Sequence, residues 1–353
     1  MSGRGWAART AGIAVPVVLA FVVAVVLLQL AGAPPLEALG LLWDGSVGSA
    51  AKVSDTLAAW VPLTLAAAGL VVTFAAGLWN IGVEGQIVAG AIFATWVARE
   101  VSGPATVLIP LMLLAGVLGG VLWALLAGIL KTRGGVNEIF GGLGLDFVAS
   151  GLAIYLIIGP WKRAGIASTS GTDLFRSEAW LPTVGVAQVP AIAIGLTVAA
   201  VILVYLLMRG TRFGLRLKAV GKNARSAHLM GIPTERYTLA AFALCGGLAG
   251  LAGAVQVSGV FHKLVPSVSG GYGFLGILVV LLAGFRAAWI APIALFFAAV
   301  AVGSTQLSLR LDLDSSLGGV LQGVLVLLVI LAGGWQARRA RRARAGPSSS
   351  EEP

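Results

Sequence analysis

Asn80-Ile81-Gly82-Val83-Glu84-Gly85-Gln86 lies between two apolar runs, where a lipid-facing helix would carry only hydrophobes. A carboxylate at bilayer depth costs roughly 2.5–3.5 kcal/mol on insertion scales and persists where it faces protein or water. Gly82 and Gly85 weaken the helix locally and bare backbone groups. An interrupted helix carrying Asn, Glu and Gln is a means of building a polar site inside an apolar slab. The stretch therefore points to a pathway through a membrane, with Asn80, Glu84 and Gln86 as candidate lining residues. The plainer alternative for Glu84 is a cap on the broken helix, whose free N–H groups favour negative charge.

The composition around this stretch agrees. Of 353 residues, 58% are hydrophobic and 11% charged, against about 25% charged in soluble domains. The chain reads as an all-α polytopic membrane protein. Ten apolar spans are expected, at about 12–32, 57–78, 85–98, 104–130, 139–159, 189–208, 238–258, 270–285, 287–305 and 317–335. The third and eighth are short and follow glycine-rich polar segments, so re-entrant or bundle-buried helices are expected there. Gly116 with Gly120, and Gly246 with Gly250, have the spacing of close helix contacts. The single cysteine, Cys245, excludes an intrachain disulfide and a cysteine-built zinc site. The apolar run from Ile13 to Leu30 exceeds the roughly 7–15 residues of a signal-peptide core and is expected to be a retained span.

The net charge of +10 does not indicate a nucleic-acid partner, because the basic residues cluster between spans as orientation signals do. With a cytoplasmic N-terminus, 17 of the 24 Lys and Arg fall in inward segments, while the outward ones hold eight acids. Both termini are therefore expected inside. Ten spans divide five and five, and an odd number per half gives two inverted five-helix halves, the arrangement that places a transport site at mid-membrane. The expected organisation is a transmembrane domain over residues 1–337 and a basic, disordered tail over 338–353. Residues 160–188 form the largest outward loop, suited to an external partner or to a solvated connector.

The inward segment of residues 209–237 is the second strong signal. Asn223 is a good N-cap for a short helix through Met230, and Gly231 a good stop before Pro233. Ala224, Ala227, Leu229 and Met230 would form a small apolar knob among basic residues. Such a knob suits a groove on a cytosolic partner, or rests on anionic lipid. Asn137 and Glu138 start the fifth span, as a gate or as a helix cap, and Asp146 lies two turns deeper as a solute-contact candidate. Phe274, Tyr272 and Trp79 are able to stack on a base or sugar ring, or to anchor and pack. The chain has neither a phosphate-binding Gly-x-x-x-x-Gly-Lys-Ser/Thr loop nor a His-Glu-x-x-His pair, so ATP hydrolysis and zinc-dependent proteolysis are not expected of it.

Four motifs in order also resemble those of permease subunits of bacterial ABC importers for nucleosides and simple sugars. They are Asn80 to Gln86; Gly221-Lys222-Asn223 through Gly231-Ile232; Gly246-Gly247-Leu248-Ala249-Gly250-Leu251-Ala252-Gly253; and Gly271-Tyr272-Gly273-Phe274-Leu275-Gly276-Ile277. The resemblance implies a translocation path including Asn80, Glu84, Gln86, Asp146 and Phe274, and ATPase coupling through Asn223, Ala224, Ala227, Leu229, Met230 and Gly231. It implies a non-enzymatic subunit of a bacterial plasma membrane, with cytosolic ABC ATPases that hold ATP-Mg and an extracytoplasmic substrate-binding protein. The Glu84-Gly85-Gln86 ending resembles the longer of two non-identical permeases, which implies a heterodimer. Asp146 departs from the family, where Asn is common, and an ionised carboxylate cannot donate hydrogen bonds. The competing expectation is an ion-coupled secondary transporter in which Glu84 and Asp146 bind a proton or sodium.

Overall fold

The computed structural model describes residues 22–23, 25–26, 29, 32, 34–163, 169–183, 190–311, 318–328 and 330–331. Most of the first expected span, the outward acids Asp312 and Asp314, and the tail with Arg338 to Arg344 lie outside the described residues. Among the described residues there is no β-strand. The helices are α1 (Pro35–Val47), α2 (Ala50–Ala75), α3 (Val83–Glu100), α4 (Ala105–Thr132), α5 (Glu138–Ile158), α6 (Ala191–Gly210), α7 (Arg212–Lys222), α8 (Ala224–Leu229), α9 (Thr234–Val255), α10 (Tyr272–Leu282) and α11 (Ile290–Leu311), followed by α12 (Gly318–Leu328). A π-helical turn, Gln256–Val260, extends α9.

Six described segments are long and apolar enough to cross a bilayer: Ala50–Ala75, Ala105–Thr132, Glu138–Ile158, Ala191–Gly210, Thr234–Val260 and Ala287–Leu311. The third expected span, α3, has the length but carries Glu84, Arg99 and Glu100. The eighth, α10, has 11 residues, a rise of about 16 Å, or half of a core about 30 Å thick. Two helices form where only connecting segments were expected. One is α1. The other is α7, whose Thr211 side chain accepts the Gly214 N–H at 3.0 Å and whose Gly214, Leu217 and Val220 turn inward.

The chain divides into two compact units, residues 47–298 and residues 1–46 with 299–353. In the smaller unit, Ala38 and Leu307 are fully buried with Leu41, Leu42, Leu311 and Leu321 around them. In the larger unit, α9 packs against α2, α3 and α4. Lipid tails offer no hydrophobic drive for that association, so it depends on close van der Waals approach. The glycines supply it: a Cβ on Gly120 would sit 2.0 Å from the Gly246 carbonyl oxygen, and one on Gly250 would sit 2.1 Å from that of Gly116. A Cβ on Gly90 of α3 would meet the Gly250 Cα at 2.3 Å. Three helices thus converge on a glycine-lined crossing, and the polar residues of α3 are carried into the middle of the unit.

Candidate functional site: a buried carboxylate relay at the broken helices

The first turn of a helix leaves N–H groups without intrahelical partners, and at membrane depth water does not serve them. Two helices of the larger unit begin with no side-chain cap of their own. α3 starts after Gly82, and α10 starts after Gly271, which has φ 75°. Neighbouring elements provide the missing acceptors. Asp146, two turns into α5, places Oδ1 2.7 Å from the Gly85 nitrogen and so accepts the N–H of α3's first turn. Glu84, itself in that turn, accepts the Gly271 N–H on Oε1 at 3.0 Å and the Gly273 N–H on Oε2 at 2.7 Å. The carboxylates form a relay in which α5 caps α3 and α3 caps α10.

Steric fit explains the glycines beside them. A Cβ on Gly85 would lie 2.7 Å from Asp146 Oδ1, and one on Gly273 would lie 2.4 Å from Glu84 Oε2. Gly82 and Gly142 press together as well, with 2.7 Å from an added Gly142 Cβ to the Gly82 nitrogen. A side chain at Gly85 or Gly273 would push a carboxylate away from the N–H groups it serves, and one at Gly82 or Gly142 would part the start of α3 from α5.

The amides close on each other. Asn80 Nδ2 donates to Gln86 Oε1 at 3.1 Å and Gln86 Nε2 donates to Asn80 Oδ1 at 3.0 Å, while Asn80 Nδ2 also lies 3.1 Å from Cys245 Sγ on α9. Asn80 and Gln86 are 1% and 0% exposed, so this pair ties the loop before α3 to the helix itself. Glu84 caps α10 rather than the broken helix on which it stands, whose first-turn N–H goes to Asp146. Asp146 differs: it is 6% exposed, and its Oδ2 has no hydrogen-bond partner among the described residues. It is the carboxylate oxygen of the relay without a hydrogen bond among the described residues. Phe274, in the first turn of α10, is 45% exposed, and Trp79, 43% exposed, packs edge-on against Phe74 at 5.0 Å.

The candidates at the start of α5 take capping and pairing roles. Asn137 accepts the Ile139 N–H at 2.9 Å, and Glu138 pairs with Lys131 at 2.6 Å. Nearby, Arg133 pairs with Glu235 at 3.1 Å and links the end of α4 to the start of α9. In the segment at residues 223–231, Asn223 accepts the Ser226 N–H at 2.9 Å, and Gly231 has φ 79°. Leu229 and Met230 are each 80% exposed, but Ala227 is buried. The expected four-residue knob is therefore corrected: Ala227 faces the protein, and Leu229 and Met230 make the projecting pair, with the exposed Ala224 one turn away.

The expected outward loop meets the residues that follow α9. Phe175 N–H donates to the His262 carbonyl, Leu181 N–H to that of Ser258, and Thr172 N–H to that of Leu264, at 2.8–2.9 Å. The His262 ring stacks on Trp180 at 4.1 Å and lies 3.0 Å from the Ser258 carbonyl through Nδ1, which fixes the proton on that nitrogen. Burial holds the His262 pKa below its usual value, against the smaller upward pull of that hydrogen bond. Residues 164–168 and 184–189 of the loop lie outside the described residues. Gly271 and Gly273 were missed as partners of Glu84 by sequence reasoning; Ser269-Gly270-Gly271 before an apolar helix was the available signal.

Residues 52–330 match the family described as branched-chain amino acid transport system / permease component. Glucose ABC transporter permease protein TsgB13 of Haloferax volcanii is 33% identical over 306 residues, covering 84% of this chain and 80% of the relative. Guanosine ABC transporter permease protein NupP of Bacillus subtilis is 28% identical, covering 82% of this chain and 83% of the relative. A second guanosine permease protein of the same bacterium, NupQ, is 26% identical over 69% of this chain and 79% of its own length. With six membrane-length helices and a match over most of its length, the chain belongs to the branched-chain amino acid transport system / permease component family, and is a multi-pass plasma-membrane transport subunit rather than an enzyme.

Proposed function

We propose that this chain is the membrane half of an ATP-driven importer and that its cargo is a nucleoside or a simple sugar. The relatives named for glucose and guanosine support the cargo class. The observation that carries the coupling mechanism is the short capped helix α8, which presents Leu229 and Met230 at 80% exposure each. Two bare apolar side chains among Arg212, Arg216, Lys222 and Arg225 match a groove on a cytosolic ATPase. ATP and Mg²⁺ belong to that ATPase. Its closure pushes on α8, and the adjoining helices switch the path between outward and inward access. An external binding protein delivers the solute to the face formed by residues 169–183 and 258–264.

Two differently named guanosine permeases of one bacterium both resemble this chain, which supports pairing with a second, non-identical permease. In this reading the solute meets Phe274 and the spare oxygen of Asp146, while Glu84, Asn80 and Gln86 hold the wall in shape. Both termini lie in the cytoplasm, and the ten spans form two inverted halves.

The test is Leu229→Asp with Met230→Asp in the complete transporter, assayed for ATPase co-purification and for uptake into proteoliposomes without an ion gradient. Loss of both supports the coupling role. Uptake that survives without the ATPase, and stops when proton and sodium gradients collapse, would replace it with the ion-coupled reading, which rests on the unpartnered Asp146 Oδ2.

A further inference from the structure

A cavity of about 430 Å³ in the larger unit is walled by Val71 and Ala75 of α2, Arg209 of α6, Lys218 of α7, and Phe285 and Arg286 of the turn after α10. A second cavity of about 460 Å³ shares Ala75 and Lys218 and adds Lys222. The ion pairs among the described residues are Lys52–Asp55, Lys131–Glu138, Arg133–Glu235 and Arg163–Asp173, and none uses these four cations. Two stretches remote in sequence, 209–218 and 286, thus bring Arg209, Lys218 and Arg286 to one hollow, and none of the three has a carboxylate partner among the described residues.

The side chains are held in place. Lys218 Nζ donates to the Met208 carbonyl at 2.6 Å, which leaves two of its three N–H groups. The Arg209 guanidinium lies 5.4 Å over the Tyr205 ring and bonds to its hydroxyl. Phe285 has φ 61°, uncommon for a residue with a Cβ, and its ring packs 5.4 Å from Phe74. That conformation sets the ring as one wall and carries Arg286 to the rim.

The level in the membrane selects the ligand. Arg209 ends one membrane-length helix, Ala191–Gly210, and Arg286 directly precedes another, Ala287–Leu311. Headgroups sit at that level, and basic pockets between helices there bind lipid phosphates. The walls Val71, Ala75 and Phe285 add an apolar side that free phosphate cannot use but the glycerol esters of a lipid can. We propose that this cavity binds the phosphate headgroup of an anionic phospholipid, held by Arg209, Lys218 and Arg286.

The experiment uses the full chain purified in neutral detergent, with short-chain phosphatidylglycerol, short-chain phosphatidylcholine and inorganic phosphate as separate probes and native mass spectrometry as the readout. Phosphatidylglycerol is expected to bind in preference to phosphatidylcholine and without competition from millimolar phosphate. Lys218→Gln with Arg286→Gln should weaken it roughly 30-fold, since each cation near the surface contributes on the order of a fivefold effect. The charge-matched pair Arg212→Gln with Arg216→Gln, outside the cavity, should leave binding within about twofold of wild type. Lys218→Arg with Arg286→Lys keeps the charge and should bind nearly as wild type. Equal losses in both Gln pairs would show bulk surface charge and overturn the site. Equal displacement by inorganic phosphate, or failure of wild type to distinguish the two lipids, would overturn it too. Unchanged lipid binding with lost ATPase association in Lys218→Gln/Arg286→Gln would replace it with a protein-docking surface.

Discussion

Replacing Glu84 by Ala removes the acceptor of one buried N–H group, that of Gly273 at 2.7 Å, and one part-buried, that of Gly271 at 3.0 Å. Nothing else in α10's first turn caps these donors. An orphaned buried donor costs about 1–3 kcal/mol, so the pair amounts to about 2–6 kcal/mol. At roughly 2 °C per kcal/mol for a large chain, the melting midpoint falls by about 4–12 °C. Glu84→Gln keeps one acceptor oxygen and is expected to lose about half as much. The assay is built into the chain: Cys245 is its only cysteine and is fully buried, so a fluorogenic maleimide reacts with it only after the core opens. A Glu84→Ala midpoint within about 1 °C of wild type would refute the capping argument, because it would require water or another group to serve both donors.

Other outcomes follow from the same geometry. Asp146→Asn retains an oxygen for the Gly85 N–H and is expected to keep stability within about 0.5 kcal/mol, whereas Asp146→Leu loses about 1–3 kcal/mol by the same Cys245 assay; changed solute selectivity in the Asn variant, with stability intact, is the mark of a solute contact. Gly120→Ala puts a Cβ 2.0 Å from the Gly246 oxygen and forces α4 from α9, with a loss of about 1–3 kcal/mol and reduced complex yield on size exclusion. His262 is held neutral by burial, its pKa lying below the unfolded value; the unfolded state therefore binds more protons between the two, and stability present above about pH 6.5 is lost as pH falls towards the folded pKa. Exchange protection factors at residues 169–183, corrected for the intrinsic pH dependence of amide exchange, should accordingly fall below about pH 6.5 in wild type and stay level in His262→Gln.

The apolar spans were readable because a bilayer imposes a length and a hydropathy that local sequence alone satisfies. The same is true of Asn223 and Gly231, since a cap and a stop act within three residues. Helix α7 also had a local signal, Thr211 before Gly214, Leu217 and Val220, but the density of basic residues suggests a loop when charge is read before period. The relay was not readable in the same way. Gly85 and Asp146 are 61 residues apart, and Glu84 and Gly273 are 189 apart. Glu84 alone is compatible with lining a path or capping a helix, and the N–H groups it accepts come from a helix that local sequence does not place beside it. Ala227 turned inward for a similar reason: on a helix of six residues, which face is buried depends on the neighbours rather than on periodicity.

The separation within the relay has a consequence for how the chain is made. Ribosomes add about 5–20 residues per second, and Glu84 waits for a donor 187 residues downstream. For about 10–40 s after its synthesis, α3 is a nascent segment with an acid that has not met its mate. It cannot profitably move sideways into lipid alone. It must linger beside the insertion machinery, or shelter against α4 and α5, until Gly271 and Gly273 emerge and complete the last bonds.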